Sequence, residues 1–180
     1  MKLNMKKALT VLSLFFILAA FSAAEEREFE FGEFFDGLHV TGKPFDLDEE
    51  SYRLTVSGKV RRPLSLSFAE VKALPTVREK LDLICVDTFT DSGIWTGVTV
   101  RTLLERAGIR RDAKMVIFST PDDSYRTRFP VNEAMKDDML IAWEFNGRQF
   151  HRVHGFPLRL AAGSHDGSNW VKWLSKIVVE

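Results

Sequence analysis

The sequence predicts an α+β fold: a single domain of mixed β-sheets with short helices. Three observations predict it. Strand-like alternation of apolar and polar residues outnumbers helical periodicity along the chain. The helical stretches that do occur are short and carry their own caps. No repeat or low-complexity linker divides the 180 residues, and their 45% hydrophobic and 28% charged composition suits one globular domain. Formal net charge is zero, so no global field favours nucleic acid or an anionic membrane.

The chain opens differently from the rest. Lys2, Lys6 and Lys7 precede an apolar run from Ala8 to Phe21, then Ser22-Ala23-Ala24 and Glu25. That pattern predicts a signal peptide over 1–24, cut after Ala24. The run is short for a membrane span of roughly 20 residues. Export to a periplasm or the medium follows, with no membrane span after cleavage. Cleavage removes three lysines and no acid, leaving 22 basic against 25 acidic residues. Residues 25–50 are acidic and aromatic, with Phe29, Phe31, Phe34 and Phe35. They read as an arm wrapping a domain over 51–180.

Within that domain Tyr52 to Gly58 alternates as a strand ending in a turn. Ser67-Phe-Ala-Glu70 is a capping box opening a helix that stops before Pro75. Leu81, Leu83 and Cys85 share one face of the next strand, so the cysteine points where the leucines point. Asp87 to Gly93 reads as a polar, solvated loop ended by Trp95-Thr-Gly97. Thr99 caps a helix carrying Val100, Leu103, Leu104 and Ala107, closed by Gly108. Lys114 to Ser119 is a strand and Thr120 to Asp123 a turn. Pro130 opens a short helix ended by Asp137-Asp138. Met139 to Trp143 is a strand, and Asn146-Gly147 a hairpin turn.

Cys85 is the only cysteine. An exported chain with one cysteine cannot close an internal disulfide. The thiol must be buried, paired between chains or bound to something.

One set of motifs draws these pieces together. His154-Gly-Phe-Pro-Leu-Arg159-Leu160 is followed by Val171-Lys172-Trp173-Leu174. Upstream stand Cys85, Trp95-Thr-Gly97, Leu103-Leu104, Ala107-Gly108 and Asp137-Asp138. This order resembles the molybdopterin-binding domain of the sulfite oxidase family, from about Tyr52 to Val179. The family also includes plant nitrate reductases and a bacterial methionine-sulfoxide reductase. The resemblance implies a sulfite-oxidase-type domain and a molybdenum–molybdopterin cofactor. It implies that Cys85 is the catalytic thiolate and metal ligand, a soft donor suited to such a metal. Thr120, His154, Arg159, Trp170, Val171 and Lys172 match cofactor-binding positions. Arg159 and His154 fall where the family grips pterin and phosphate, a task that suits an arginine fork.

The implied activity is oxygen-atom transfer by an oxidoreductase acting on a small-molecule or sulfoxide-type substrate. No haem-binding or flavin-binding domain is recognisable, so electrons would pass through a separate redox partner protein. The stretch Val86 to Asp91 is acidic where sulfite oxidases carry an arginine, which argues against sulfite. Gly163 to Asn169 departs from the family's usual proline, glycine and aromatic-glycine pattern, and Asp166 would stand near the phosphate. An asparagine-rich contact from the arm is not recognisable. The alternative is a ligand- or protein-binding module that keeps the fold without the metal. On a purely structural reading, Arg159 would tie its loop to Asp166.

Overall fold

The computed structural model describes residues 27–180; the expected signal segment and its expected cleavage point lie outside them. The arm contributes a small hairpin, β1 (Phe34–Phe35) and β2 (Leu38–His39). Then follow β3 (Leu54–Gly58), β4 (Leu64–Leu66) and α1 (Phe68–Lys72). Ser67 and Glu70 close both halves of the capping box at the start of α1. Next come β5 (Val77–Cys85), β6 (Phe89–Thr99) and α2 (Val100–Ala107). Thr99 caps α2, and Gly108 ends it at φ 69°, a left-handed position that glycine adopts without steric penalty. The chain continues through β7 (Met115–Ser119), β8 (Arg126–Pro130), α3 (Val131–Ala134), β9 (Met139–Phe145) and β10 (Arg148–Gln149). A 3₁₀ turn (Arg152–His154), β11 (Arg159–Ala162) and β12 (Lys176–Val179) complete it.

Two sheets organise these strands. One has the order β4-β3-β12-β7-β8, with β12 parallel to β3 and antiparallel to β7. The other has the order β10-β9-β6-β5, with β11 also pairing β9. The α+β class with mixed sheets and short helices therefore holds. The core fills from both sheets and α2: Leu54, Val56, Phe68, Trp95, Leu103, Leu104, Phe118, Ile141, Leu160 and Ile177 are all at most 1% exposed. Gly97 lies at a register shift between β6 and β9, where a Cβ would meet the Ile141 carbonyl at 2.4 Å. Only glycine lets the two strands approach there.

Two sequence expectations are corrected. Asp87 to Gly93 is not a loop: β6 begins at Phe89, and a tight turn joins it to β5 with Cys85 opposite Phe89 and Leu83 opposite Asp91. Asp91 is 3% exposed, not solvated. Strand β8 carries Arg126 and Arg128 on its exposed side and was hidden by that polarity. Among the described residues no helix is long and apolar enough to cross a membrane.

Candidate functional site

The β5–β6 hairpin sets the first wall. Cross-strand partners share a face, so Cys85, Phe89, Leu83 and Asp91 point the same way. Leu81 and Leu83 are buried, and Cys85, at the strand end, is half-buried. The turn beyond it is pinned when Thr88 donates its amide and its hydroxyl to the Cys85 carbonyl, at 3.0 and 2.9 Å. Cys85 then borders a cavity of about 760 Å³, shared with Thr120, Trp170 and Lys172. Thr120 is 2% exposed; its hydroxyl donates to Asp122 at 3.0 Å and accepts from the Tyr125 amide at 3.2 Å. The Trp170 indole donates to the His165 carbonyl at 3.0 Å. Arm residues Phe31, Thr41 and Phe45 close the facing wall.

Behind this cavity lies a buried cluster of basic side chains. Arg159 enters from β11, opposite Ala142 of β9, and is 2% exposed. Its Nη1 donates to the His154 carbonyl at 3.1 Å, while its Nε has no partner. Its guanidinium lies 5.0 Å from the Trp95 ring centre and 5.7 Å from those of Phe150 and Trp170. These aromatic faces hold the cation within an apolar shell. Burial lowers its pKa to about 9, and Asp91 opposes that shift. Lys172 donates to the Thr41 carbonyl at 2.7 Å and the Val153 carbonyl at 3.0 Å. Burial, then Arg159, pushes its pKa down to about 6, again against Asp91. His154 is 1% exposed; its Nε2 donates to the Phe35 carbonyl at 2.8 Å, which leaves Nδ1 buried without a partner. Burial, then Lys172, holds its imidazole down to about 4. Val171 is fully buried, and its carbonyl accepts from the Leu160 amide at 2.8 Å.

Local backbone geometry sets these side chains. Gly155 sits at φ 103°, and a Cβ there would meet Lys172 Cβ at 3.0 Å and the Trp173 amide nitrogen at 3.2 Å. Trp173 holds φ 52°, uncommon for a large side chain, while its indole donates to the Arg152 carbonyl at 2.7 Å. Backbone strain of this kind concentrates at functional sites.

Cys85, Thr120, Trp170 and Lys172 therefore meet at one cavity, and Arg159, His154 and Val171 stand behind it rather than on its surface. Sequence reasoning read Asp91 as solvated and missed His39. Asp91 accepts from the His39 backbone amide at 2.8 Å and lies 2.6 Å from its Nδ1, so a core carboxylate ties the arm down. The His39 ring stacks on Phe89 at 4.0 Å. The alternation of Phe89, Asp91, Gly93 and Trp95 on one face carried a signal for Asp91; the arm carried none for His39. Asp166 is not the partner of Arg159: it accepts from Ser168 and Asn169.

The cluster suits an anionic ligand. A buried charge is unfavourable unless paired; Arg159 keeps an unpartnered Nε, and Lys172, held at about 6 by burial and then Arg159, would regain its proton beside an anion. A half-buried thiol on the neighbouring wall is a soft donor. The donor set thus fits a metal-bearing cofactor with an anionic tail.

Comparison with known proteins agrees in kind. The family model for the oxidoreductase molybdopterin-binding domain matches residues 40–180. An uncharacterized oxidoreductase of Bacillus subtilis, YuiH, is 33% identical over 126 residues, 69% of this chain and 63% of that protein. The NADH nitrate reductase of Volvox carteri is 32% identical over 160 residues, 71% of this chain but 18% of its own. A putative protein-methionine-sulfoxide reductase subunit of Azospira oryzae, YedZ1, is 31% identical over 134 residues, 74% and 51% of the two chains. The chain therefore spans less than two thirds of these relatives. The sulfane dehydrogenase SoxCD of Paracoccus pantotrophus superposes with a TM-score of 0.71 at 24% identity, covering 76% of this chain and 40% of that one, and so shares the fold.

Proposed function

Because the chain belongs to the oxidoreductase molybdopterin-binding domain family, we propose that it is an exported molybdopterin-dependent oxidoreductase with Cys85 as the metal-ligating thiolate. When bound, the cofactor supplies oxygen-atom transfer coupled to a change in the metal's oxidation state. The chain's own residues do the rest. Cys85 offers the soft thiolate from a strand end. Arg159 offers positive charge and an unused donor to the anionic part of the cofactor, Lys172 becomes a second cation once that anion restores its proton, and His154 stands beside them. Thr120 offers a hydroxyl, and Trp170 and Val171 form the wall between cavity and cluster. The observation that carries this reading is the buried basic cluster around Arg159, opposed by Asp91 alone in the shifts of Arg159 and Lys172, beside the thiol's cavity. The family match does not favour the metal-free binding module.

The substrate fits the sulfoxide-type or other small neutral class better than an oxyanion. The segment after Cys85 presents Asp87 and the buried Asp91, and Asp122 borders the cavity. Electrons pass through a separate redox protein. Export rests on the signal pattern in residues 1–24, and sequencing the mature N-terminus should start at or near Glu25; intact Met1 on membrane-embedded protein would contradict it.

Metal and pterin analysis tests the cofactor reading. Protein purified from its native host should carry molybdenum. Cys85→Ser should fold and lose it, because a hydroxyl is a hard, rarely ionised donor. Arg159→Lys gives up the fork, and each lost charge-assisted hydrogen bond, worth roughly 1.5–3 kcal/mol, weakens binding by about one to two orders of magnitude. Metal-free wild-type protein from the native host, or an unchanged content in Cys85→Ser, would overturn the reading. Unchanged content in Arg159→Lys beside a clear loss of cofactor-free stability would make Arg159 structural.

A further inference from the structure

Phe31, Phe34, Ile84, Val86 and Tyr125 are the exposed large hydrophobic side chains among the described residues. They are 77, 63, 48, 61 and 44% exposed. All but Ile84 gather at one place. Phe31 and Tyr125 border the cavity that holds Cys85. Val86 follows Cys85 in the turn beyond β5, whereas Ile84 points to the opposite face of that strand and lies outside the rim. Phe34 packs edge-on against His39 at 5.1 Å, and His39 stacks on Phe89, the cross-strand partner of Cys85. Isolated exposed apolar residues need no explanation, but a gathered set marks an interaction surface.

The charges around this rim have one predominant sign. Glu30 and Glu33 stand beside Phe31, Asp87 follows Val86, and Asp122 borders the cavity. Burial, then the charge of Asp166, raises the pKa of Tyr125. Arg27 pairs with Glu33, and Lys43 on the cavity wall and Arg126 beside Tyr125 are the cations set among these acids. An acidic surround disfavours an anionic lipid surface and favours a basic partner, since opposite potentials steer encounter.

We propose that this rim docks the separate redox partner, a basic protein whose contact face has an apolar centre. This rests on the oxidoreductase reading, because only a redox site needs such a visitor at its mouth. An apolar centre with a charged surround is the usual anatomy of a specific transient interface. The rim places the partner's redox group next to the Cys85 cavity.

Titration calorimetry with a lysine-rich cytochrome c as probe tests the surface on molybdenum-loaded protein. Wild-type protein should bind it, and binding should weaken with added salt. Lysine-acetylated cytochrome c should bind far more weakly. The pair Phe34→Ser and Val86→Ser should weaken binding by about tenfold, the scale of truncating the centre of an interface. Glu30→Lys should weaken it and flatten the salt dependence. Metal content separates the two claims: absent molybdenum defeats the oxidoreductase reading, whereas loaded protein that binds no cytochrome c, or binds it equally well in all variants, overturns the docking surface alone. Vesicles of zwitterionic phosphatidylcholine bound through the same side chains would assign the rim to membrane. Self-association abolished by these substitutions would assign it to a second copy. Either result overturns the proposal.

Discussion

Replacing Asp91 with asparagine should expose how the site is held together. The carboxylate accepts from the His39 amide at 2.8 Å and pairs with its ring at 2.6 Å. A hydrogen bond to a charged group contributes about 1.5–3 kcal/mol. Asparagine keeps one acceptor oxygen and turns the other into a donor, so one bond to His39 is lost or must be rearranged. It also removes the negative charge that opposes the shifts of Arg159 and Lys172. Stranding a buried charge costs about 3–5 kcal/mol, but Lys172, held at about 6, is mostly neutral near pH 7, so Arg159 alone bears the cost. The expected loss is about 3 kcal/mol, at the low end of that range. A domain of this size loses about 2–4 °C per kcal/mol, so cofactor-free Asp91→Asn should melt about 6–12 °C below wild type. Calorimetry gives that number, and limited proteolysis should cut the arm within residues 27–46 faster. Added sulfate should stabilise the variant more than wild type, because an anion can take the place of the missing charge. A melting temperature within about a degree of wild type, with unchanged arm cleavage and equal sulfate response, would refute the argument.

Two more substitutions probe the same ground. His154 is held at about 4 against an ordinary 6.5, so on acidification the unfolded chain takes up the proton first. Its stability is complete above pH 6.5, falls between 6.5 and 4 and is lost below, by at most about 3 kcal/mol; denaturation at stepped pH should show a shallower acid limb in His154→Gln, and an unchanged limb would count against burial as the cause. Gly155→Ala puts a Cβ 3.0 Å from Lys172 Cβ at φ 103°, costing about 1–3 kcal/mol and loosening the Lys172 bond to Thr41; hydrogen exchange should rise in the arm as the melting temperature falls, and a stable variant with a protected arm would contradict it.

The strands and helices with their own local chemistry were legible from sequence. The Ser67 box, the Thr99 cap with Gly108, and the Asn146-Gly147 turn each specify their conformation through a few neighbouring atoms. The face of Cys85 followed from alternation with Leu81 and Leu83. What failed was long-range. Residues 87–93 look like a loop because Asp87, Thr88, Thr90, Asp91 and Ser92 are polar. Yet Asp91 is buried because His39, 52 positions away, caps it. The polarity of β8 concealed a strand whose partner, β7, supplies its hydrogen bonds and its inner face. The family motifs named residues that line or adjoin the candidate cavity. They could not tell that His154 and Lys172 hold arm carbonyls or that Arg159 sits in a box of three aromatic rings. Those facts depend on the arm's path, which no local pattern in residues 27–50 encodes.

X-ray absorption at the molybdenum edge tests the account most directly. It should be recorded on wild-type protein from the native host and on Cys85→Ser reconstituted with excess cofactor. The account predicts molybdenum in the wild type with one sulfur neighbour more than in the variant, the difference being the Cys85 thiolate. Equal sulfur coordination in the two proteins would contradict it.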